Sequence, residues 1–487
     1  GRVADPPSKW SKIVASARRP TRWGRLGYES VLAKRLRVIS IKVVFLPFIA
    51  EIVLVRLVVI YHTRPSNILP SMRLKCCLSL RHSFARFFLV ASCLVSLGAQ
   101  VGRSQSSFEL KDGDRVAFLG DTFVERAIRY GHIETALTAR WPDREIVFRN
   151  IGWSGDNVGG RARAFFDPVD AGFENLKNHV QLADPSVVFL SYGAMAAFAG
   201  ESGLDDFIQS YSKLIETVDT GNRRLVIVSP TPREAMGHPM PDPKAQNQNL
   251  KFYTDALRSL ASRHDIPFVD LFNTLVPRSV ARGTRAITDN GIHLNDYGYA
   301  QATERIVQAL AEHSTVKRLS LDKEGRIEEA KGLRASVSKN SKGDLGFELK
   351  DERLSLSPLG GDHSQNLELA VANLPRGEYR LEYEGKVIAT GSAQKWKRGI
   401  QLAWEPSNDQ AEQLRAAINR KNEHFFHQWR PQNETYIRGF RKHEQGQNAA
   451  DLPKFDPFIK AEEMKIAKLK KPEAYKLTLT RVKGGEG

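Results

Sequence analysis

The chain has 487 residues, room for roughly two or three domains, and a formal net charge of +17. Most of this charge lies at the N-terminal end, because residues 1–98 hold 17 Lys and Arg against 3 Asp and Glu. Residues 99–487 hold 55 basic against 52 acidic residues, so the charge gives no support to a nucleic-acid-binding face on a folded domain.

The cysteines and glycines limit the chemistry of the chain. All three cysteines lie before residue 98, so the rest of the chain can form no disulfide and no thiolate metal site. Gly152, Gly159 and Gly160 form neither a dinucleotide fingerprint nor a phosphate loop with its Lys. No His, Asp and Glu cluster has metal-ligand spacing, so the sequence predicts neither a cofactor nor a metal.

Residues 72–99 have the pattern of a secretory signal peptide. Basic residues follow Met72, and the apolar stretch over 87–99 is too short to span a bilayer. We therefore expect an exported protein, periplasmic or secreted. Lipidation at Cys93, within "VASC", is the alternative, and the membrane is expected to be contacted only through this signal or such an anchor.

The segment before this signal, 1–71, is rich in Arg and lacks helix caps and turn signals, so we expect an extension outside the folded domains. Its apolar stretch over 38–60 carries Lys42, Glu51 and Arg56, and such charges are costly inside a bilayer. A membrane-anchored structural protein is therefore the weakest of the hypotheses for this chain.

From residue 114 to 312 the sequence alternates short apolar stretches with amphipathic ones. Continuous apolar strands separated by helices are typical of a parallel sheet covered on both faces, with right-handed crossovers. This pattern predicts a three-layer α/β/α domain over 107–314, with five parallel strands in the order 2-1-3-4-5. The predicted strands are 115–121, 145–152, 186–193, 224–232 and 266–272.

The pattern changes twice after this domain. Residues 315–404 alternate with turn signals, which predicts a small antiparallel β region. Residues 405–487 are predicted to be a helical C-terminal region, with 472–482 as a last strand. We expect its polar segment, 424–457, to be a solvated helix and loop packed on the main domain rather than a sugar-binding surface.

Four short blocks follow predicted strands or precede the last helix of the α/β domain. Ligands of such sheets bind beyond the carboxyl ends of the strands, so these blocks are expected to meet at one site. They are Gly120-Asp121-Thr122, "NIGWSGDNVGG" (150–160), "YGAMAAF" (192–198) and "TDNGIHLNDYGY" (288–299).

In order and content, these blocks resemble the SGNH (GDSL-like) hydrolase family over about 110–312. The resemblance implies an SGNH/flavodoxin-like fold and ester hydrolysis. It implies that Thr122 is the nucleophile, that the Gly155 N–H helps to form the oxyanion hole, and that His293 is the catalytic base. The regions after residue 315 are similar to extensions on SGNH proteins of planctomycete-type bacteria.

Three positions depart from the family pattern. Thr122 stands where Ser is usual, and its extra methyl group crowds the approach of a substrate. Met195 stands where Asn is expected, and a thioether cannot donate a hydrogen bond to an oxyanion. Asn290 stands where an acid is expected, three residues before His293, with Asp289 one position further back.

Each departure has a plain structural alternative. Thr122 could serve only as the N-cap of a helix, since Thr is a good cap. The sequence Asp289-Asn290-Gly291 could be turn chemistry alone. Met195 is favoured as a residue of core or pocket packing, and Asn157 could replace the donor lost there; we expect both side chains, with Asp121, to line the substrate site.

The sequence therefore predicts an exported SGNH-type ester hydrolase with a degenerate Thr–His site. Its catalytic residues would be Thr122 and His293, assisted by Asp289 or Asn290. The expected substrates are small acyl or acetyl esters, including those of carbohydrates. The alternative belongs to a different class, because a catalytically inactive SGNH scaffold would bind a glycan or a partner protein.

Overall fold

The structure, a computed structural model, describes residues 108–275, 285–310, 316–356 and 365–482, without the side chains of 445–447. The predicted extension over 1–71 and the predicted signal peptide over 72–99 lie outside the described residues. In the described part of the chain, no helix is long and apolar enough to cross a membrane.

A five-stranded parallel sheet with the order β2-β1-β3-β4-β5 forms the centre of the main domain. All five residues of its middle strand, β3, are buried, as expected for a sheet covered on both faces. The predicted fold class and strand order are therefore confirmed. The strands are β1 (Arg115–Gly120), β2 (Val147–Asn150), β3 (Val187–Ser191), β4 (Arg224–Val228) and β5 (Phe268–Val269).

Helices cover both faces of this sheet, because successive strand residues point to opposite sides. Ala117 and Leu119 of β1 pack with α3, α4 and α5, whereas Val116 and Phe118 pack with α1, α2 and α7. The helices are α1 (Thr122–Tyr130), α2 (His132–Arg140), α3 (Val169–Ala183), α4 (Leu204–Val218), α5 (Lys244–Arg263), the short α6 (Leu271–Thr274) and α7 (Asp296–Leu310).

Two smaller sheets follow, with the orders β13-β10-β6-β7 and β12-β11-β14-β9-β8. Every pairing in them is antiparallel except that of β10 with β6. Their strands are β6 (Arg318–Leu321), β7 (Ile327–Lys331), β8 (Leu333–Lys339), β9 (Leu345–Asp351), β10 (Glu368–Val371), β11 (Glu378–Tyr383), β12 (Lys386–Ser392), β13 (Ile400–Gln401) and β14 (Ala474–Arg481).

A helical segment separates β14 from the other strands, and its long helix packs on the main domain. Lys421 of this helix is buried, and its Nζ lies 2.6 Å from Glu134 Oε1 of α2 and 3.0 Å from Phe148 O of β2. A buried charge is costly without such partners, so the pair fixes where the helix docks. The helices after α7 are α8 (Ala393–Arg398), α9 (Pro406–Trp429), α10 (Glu434–Ile437), α11 (Lys442–Gln445) and α12 (Asp456–Leu469).

Candidate active site

Thr122 is the first residue of α1, directly after the turn that ends β1. The N-cap of this helix is Asp121, whose Oδ1 accepts the backbone N–H of Phe123 at 3.1 Å. The alternative that Thr122 is the cap is therefore wrong. Gly120 is needed before it, because a Cβ there would lie 2.4 Å from Ser191 O, where β1 approaches the end of β3.

Gly155 donates its backbone N–H to the Thr122 hydroxyl, with 3.0 Å between Gly155 N and Thr122 Oγ1. Its φ is 75°, and a Cβ there would meet nothing within 4 Å. The left-handed backbone, and not the available space, therefore explains the glycine. The first N–H groups of α1 also lack partners within the helix. Together these donors can hold the negative oxygen of a tetrahedral intermediate.

Charged groups fix the loop that carries Gly155. The Asp156 carboxylate is fully buried, and its Oδ2 accepts Arg163 Nε at 2.7 Å and the Tyr192 hydroxyl at 3.2 Å. On the other side of Gly155, the Ser154 N–H is donated to Glu125 Oε2 of α1 at 2.7 Å. The donor is thus preorganised, because Arg163 and Tyr192 hold the residue after it through the Asp156 carboxylate, and Glu125 holds the residue before it.

His293 lies in the loop before α7, and its ring contacts Asn290 at a distance of 3.1 Å between His293 Nδ1 and Asn290 Nδ2. Asn290 Oδ1 accepts two backbone N–H groups, that of Ile292 at 3.2 Å and that of His293 at 3.0 Å. In the part of the chain that the structure describes, no hydrogen bond joins the ring to the Thr122 hydroxyl.

These contacts determine the tautomer of His293. Backbone N–H groups can only donate, so the amide oxygen of Asn290 must face them and its NH2 group must face the ring. Nδ1 of His293 is therefore the acceptor, and the proton of the neutral ring is on Nε2. A general base needs a free lone pair on the nitrogen that faces the nucleophile. In a serine protease, placing Asn where Asp belongs enforces this same tautomer and costs about 10⁴ in turnover.

Asp289 does not take over from Asn290, since its carboxylate pairs with Arg126 of α1 at 2.8 Å. Burial is the main cause that lowers the pKa of His293, and the positive charges of Arg126 and Arg233 lower it further. The negative charge of Asp289 opposes them. The imidazole therefore stays neutral to a lower pH than an exposed histidine would.

Asp121, predicted to line the substrate site, directly precedes Thr122 and is only 4% exposed. Burial raises the pKa of its carboxyl group to about 7, against hydrogen bonds from the backbone N–H groups of Phe123 and Ala194. The side chain thus ties the start of α1 to the block after β3.

The other two predicted substrate residues differ in exposure. The Met195 side chain is 43% exposed, at the N-cap of a 3₁₀ turn over Ala196–Ala199. Asn157 is turned onto its own loop, where its Oδ1 accepts the N–H groups of Gly159 at 3.1 Å and Arg161 at 3.2 Å. Among the described residues, no group of three or more His, Cys, Asp and Glu side chains could hold a metal ion.

The loop after β4 supplies two residues that sequence reasoning missed. Glu234 is buried, and its carboxylate accepts the Ile287 N–H at 3.1 Å and the Thr288 N–H at 2.9 Å, which fixes the loop of His293. Arg233 Nη1 donates to Ile292 O at 3.3 Å, next to the histidine. The only signal for either residue is its position after the end of a predicted strand.

Comparisons with known proteins found a family model and solved structures to which this chain is similar. Residues 118–301 match the model of the GDSL-like lipase/acylhydrolase family. A solved structure of a gut microbial diltiazem-metabolizing enzyme matches with 17% identity and a TM-score of 0.61, over 78% of this chain and 100% of that chain. A catalytic mutant of an acetylxylan esterase from Geobacillus stearothermophilus matches with 16% identity and a TM-score of 0.32, over 41% of this chain and 95% of that chain. No curated protein matches the sequence.

Proposed function

Because residues 118–301 match the model of the GDSL-like lipase/acylhydrolase family, we propose that this domain hydrolyses acyl esters through a degenerate Thr–His site. The observation that carries the proposal is the hydrogen bond of 3.0 Å from Gly155 N to Thr122 Oγ1. It places an oxyanion donor beside a hydroxyl group at the N-terminus of a helix, which is the arrangement that acyl transfer requires.

In the proposed reaction, Thr122 Oγ1 attacks the ester carbonyl carbon and the carbonyl oxygen becomes an oxyanion. The N–H groups of Gly155 and Thr122 hold this oxyanion. His293 takes the hydroxyl proton and passes it to the leaving alkoxide, so that the alcohol departs and an acyl-threonine remains. Water, activated by the same ring, then releases the acid.

His293 limits the rate of this scheme, because the ring proton must move from Nε2 to Nδ1, with loss of the contact to the Asn290 NH2 group, before Nε2 can act as the base. The Thr122 methyl group adds a steric cost. Slow turnover is therefore part of the proposal. As substrates we propose small acyl or acetyl esters, including those of carbohydrates, on the basis of the family resemblance. Export, with lipidation at Cys93 as the alternative, is proposed from the sequence over 72–99 alone.

A catalytically inactive scaffold that binds a glycan or a partner protein is the second candidate. The orientation of Asn290 favours it, because the amide removes the charge that would stabilise an imidazolium beside the nucleophile. The two candidates make opposite predictions about ester hydrolysis.

The test is hydrolysis of an aryl acetate by the wild type and by Thr122→Ala, Thr122→Ser and His293→Ala. We expect slow turnover by the wild type, faster turnover by Thr122→Ser and only the buffer rate with either Ala variant. Asp255→Ala, which removes a surface ion pair on α5, is the matched control and should keep the wild-type rate. A wild-type rate equal to that of Thr122→Ala would reject the hydrolase in favour of the scaffold.

A further inference from the structure

Arg430, at the C-cap of α9, reaches the loop that carries Gly155. Its guanidinium lies over the ring of Trp153, with 3.7 Å from Arg430 Cζ to the ring centroid. It also forms an ion pair with Glu125 of α1. The C-terminal region of the chain thus contributes a cation next to the candidate oxyanion hole.

Both contacts of Arg430 act on the residues that directly precede Gly155. Glu125 Oε2 accepts Nη1 of Arg430 and also the backbone N–H of Ser154, the latter at 2.7 Å. Trp153 is held by the stack itself. The side chains of Arg430 and Glu125 are only 22% and 21% exposed, so water screens this ion pair less than a pair on the open surface.

Arg430 is not needed to dock α9. Lys421 lies more than two turns earlier on α9 and pairs with the buried Glu134 of α2, and Arg415 Nη1 donates to Tyr130 O at 3.0 Å. These contacts hold α9 against α1 and α2 without Arg430. The effect of Arg430 can therefore be separated from the packing of the helix.

We propose that Arg430 is a positioning residue for the oxyanion hole. It fixes the backbone of Trp153 and Ser154, so that the Gly155 N–H points at the reacting oxygen. The effect on catalysis rests on the proposed function, whereas the effect on the loop does not. A displacement of about 1 Å in a reacting geometry can cost roughly 10² in rate, although Arg430 itself touches no substrate.

The test compares Arg430→Gln, Arg430→Lys and the control Arg420→Gln. Arg420 lies on the same helix and pairs with Glu462 at 3.2 Å, away from the loop. Two quantities are measured for each full-length variant: the amide hydrogen exchange of peptides that cover 150–158, and kcat and KM for an aryl acetate.

For Arg430→Gln we expect the Ser154 and Gly155 amides to exchange about 10-fold faster, because a charge-assisted contact is lost. We expect kcat to fall by up to ~10² with little change in KM. The exchange rate and kcat of Arg430→Lys should lie between those of Arg430→Gln and the wild type. This variant keeps the charge beside Glu125 but loses the planar stack on Trp153. Arg420→Gln should change neither quantity.

Two results would overturn the proposal. One is an Arg430→Gln protein whose loop exchange and kcat equal those of the wild type. The other is faster exchange along the whole of α9, because this would make Arg430 a docking residue. If loop exchange rises locally but no variant hydrolyses any ester, the hydrolase function fails and the positioning role stands.

Discussion

The loop of Gly155 and the loop of His293 both contact α1, yet they differ in what they retain. The first presents a backbone donor at 3.0 Å from the Thr122 hydroxyl, between Ser154, which donates to Glu125, and Asp156, which accepts from the buried Arg163. The second is also well fixed, through the buried Glu234, but it offers the imidazole an amide where a carboxylate is needed. Under the proposed function, the first loop can hold an anion, whereas the second gives the imidazole weaker support for moving a proton.

The two loops differ in the charge that they bring to the site and not in how well they are fixed. Two backbone N–H groups hold the Asn290 oxygen, so the side chain has a single orientation and its NH2 group meets the ring. An aspartate in the same position would use one oxygen for these N–H groups and turn the other to Nδ1. Replacing the NH2 group of Asn290 with an oxygen is therefore expected to move the ring proton of His293 from Nε2 to Nδ1.

The largest expected effect comes from Asn290→Asp. The carboxylate would accept a hydrogen bond from a protonated Nδ1, so that Nε2 is free to act as the base. It would also stabilise the imidazolium, so kcat should rise by up to ~10⁴. The variant should also raise the pKa of His293 and move the acid limb of the kcat/KM profile to higher pH. Aryl acetate hydrolysis across pH measures both.

Asp289→Asn is the control for this gain, because Asp289 contacts Arg126 and not the ring. It should leave the tautomer unchanged and give no comparable gain. An Asn290→Asp enzyme that is no faster than its His293→Ala counterpart would show that proton transfer is not what the site lacks.

Gly155→Ala tests the other loop, in the Asn290→Asp background. The new Cβ has room, but it disfavours the left-handed backbone by about 1–2 kcal/mol. The N–H should turn away from the oxyanion, so kcat should fall by about 10²–10³. Gly113→Ala is a matched control, since Gly113 also has a positive φ and open space around its Cα. It should lower Tm similarly and leave kcat unchanged. If both variants lost the same fraction of kcat, backbone strain in general, and not the loss of the Gly155 donor, would explain the effect.

Met195→Asn tests whether the anion-holding side is complete. If the third block lacks a donor, the amide should raise kcat by up to ~10². Met195 is 43% exposed, so the free energy of unfolding should change by no more than about 0.5 kcal/mol. Met464→Asn, at an exposed position of α12, controls for the change in polarity. No gain in kcat would mean that another group already serves as the second donor.

The smallest effect is expected from Arg233→Gln. Arg233 lowers the pKa of His293, so its removal should raise this pKa and shift the acid limb of kcat/KM to higher pH. Arg129→Gln should shift the limb less, because Arg129 acts more weakly on the ring than Arg233 does. A limb that moves to lower pH after Arg233→Gln would contradict the electrostatic account of this loop.

The sequence predicts the fold and the backbone of the site well, because both depend on local patterns. Continuous apolar runs determine the strands, and the block after the second strand contains the glycine whose positive φ the site needs. The contact of His293 with its third preceding residue also follows from a short loop. These features need only a few neighbouring residues to be recognised.

Other features could not be predicted, because they depend on partners far away in the chain. The choice of Asp121 over Thr122 as the N-cap is local by contrast, but Asp and Thr are both good caps, so the sequence alone does not decide between them. Glu234 and Arg430 act across contacts that span 54 and 305 residues. No periodicity or motif marks such residues, since nothing near them in sequence reveals what they touch.

The position of β14 has a consequence for the order in which the protein can be assembled during synthesis. This strand lies between β11 and β9, so its sheet cannot close until residue 481 has left the ribosome. The parallel sheet and the loop of Gly155 are complete in sequence long before then, and contacts of low sequence separation form first. On stalled nascent chains, pulse proteolysis should therefore find the α/β domain folded before Arg430 has been synthesised and can contact Trp153.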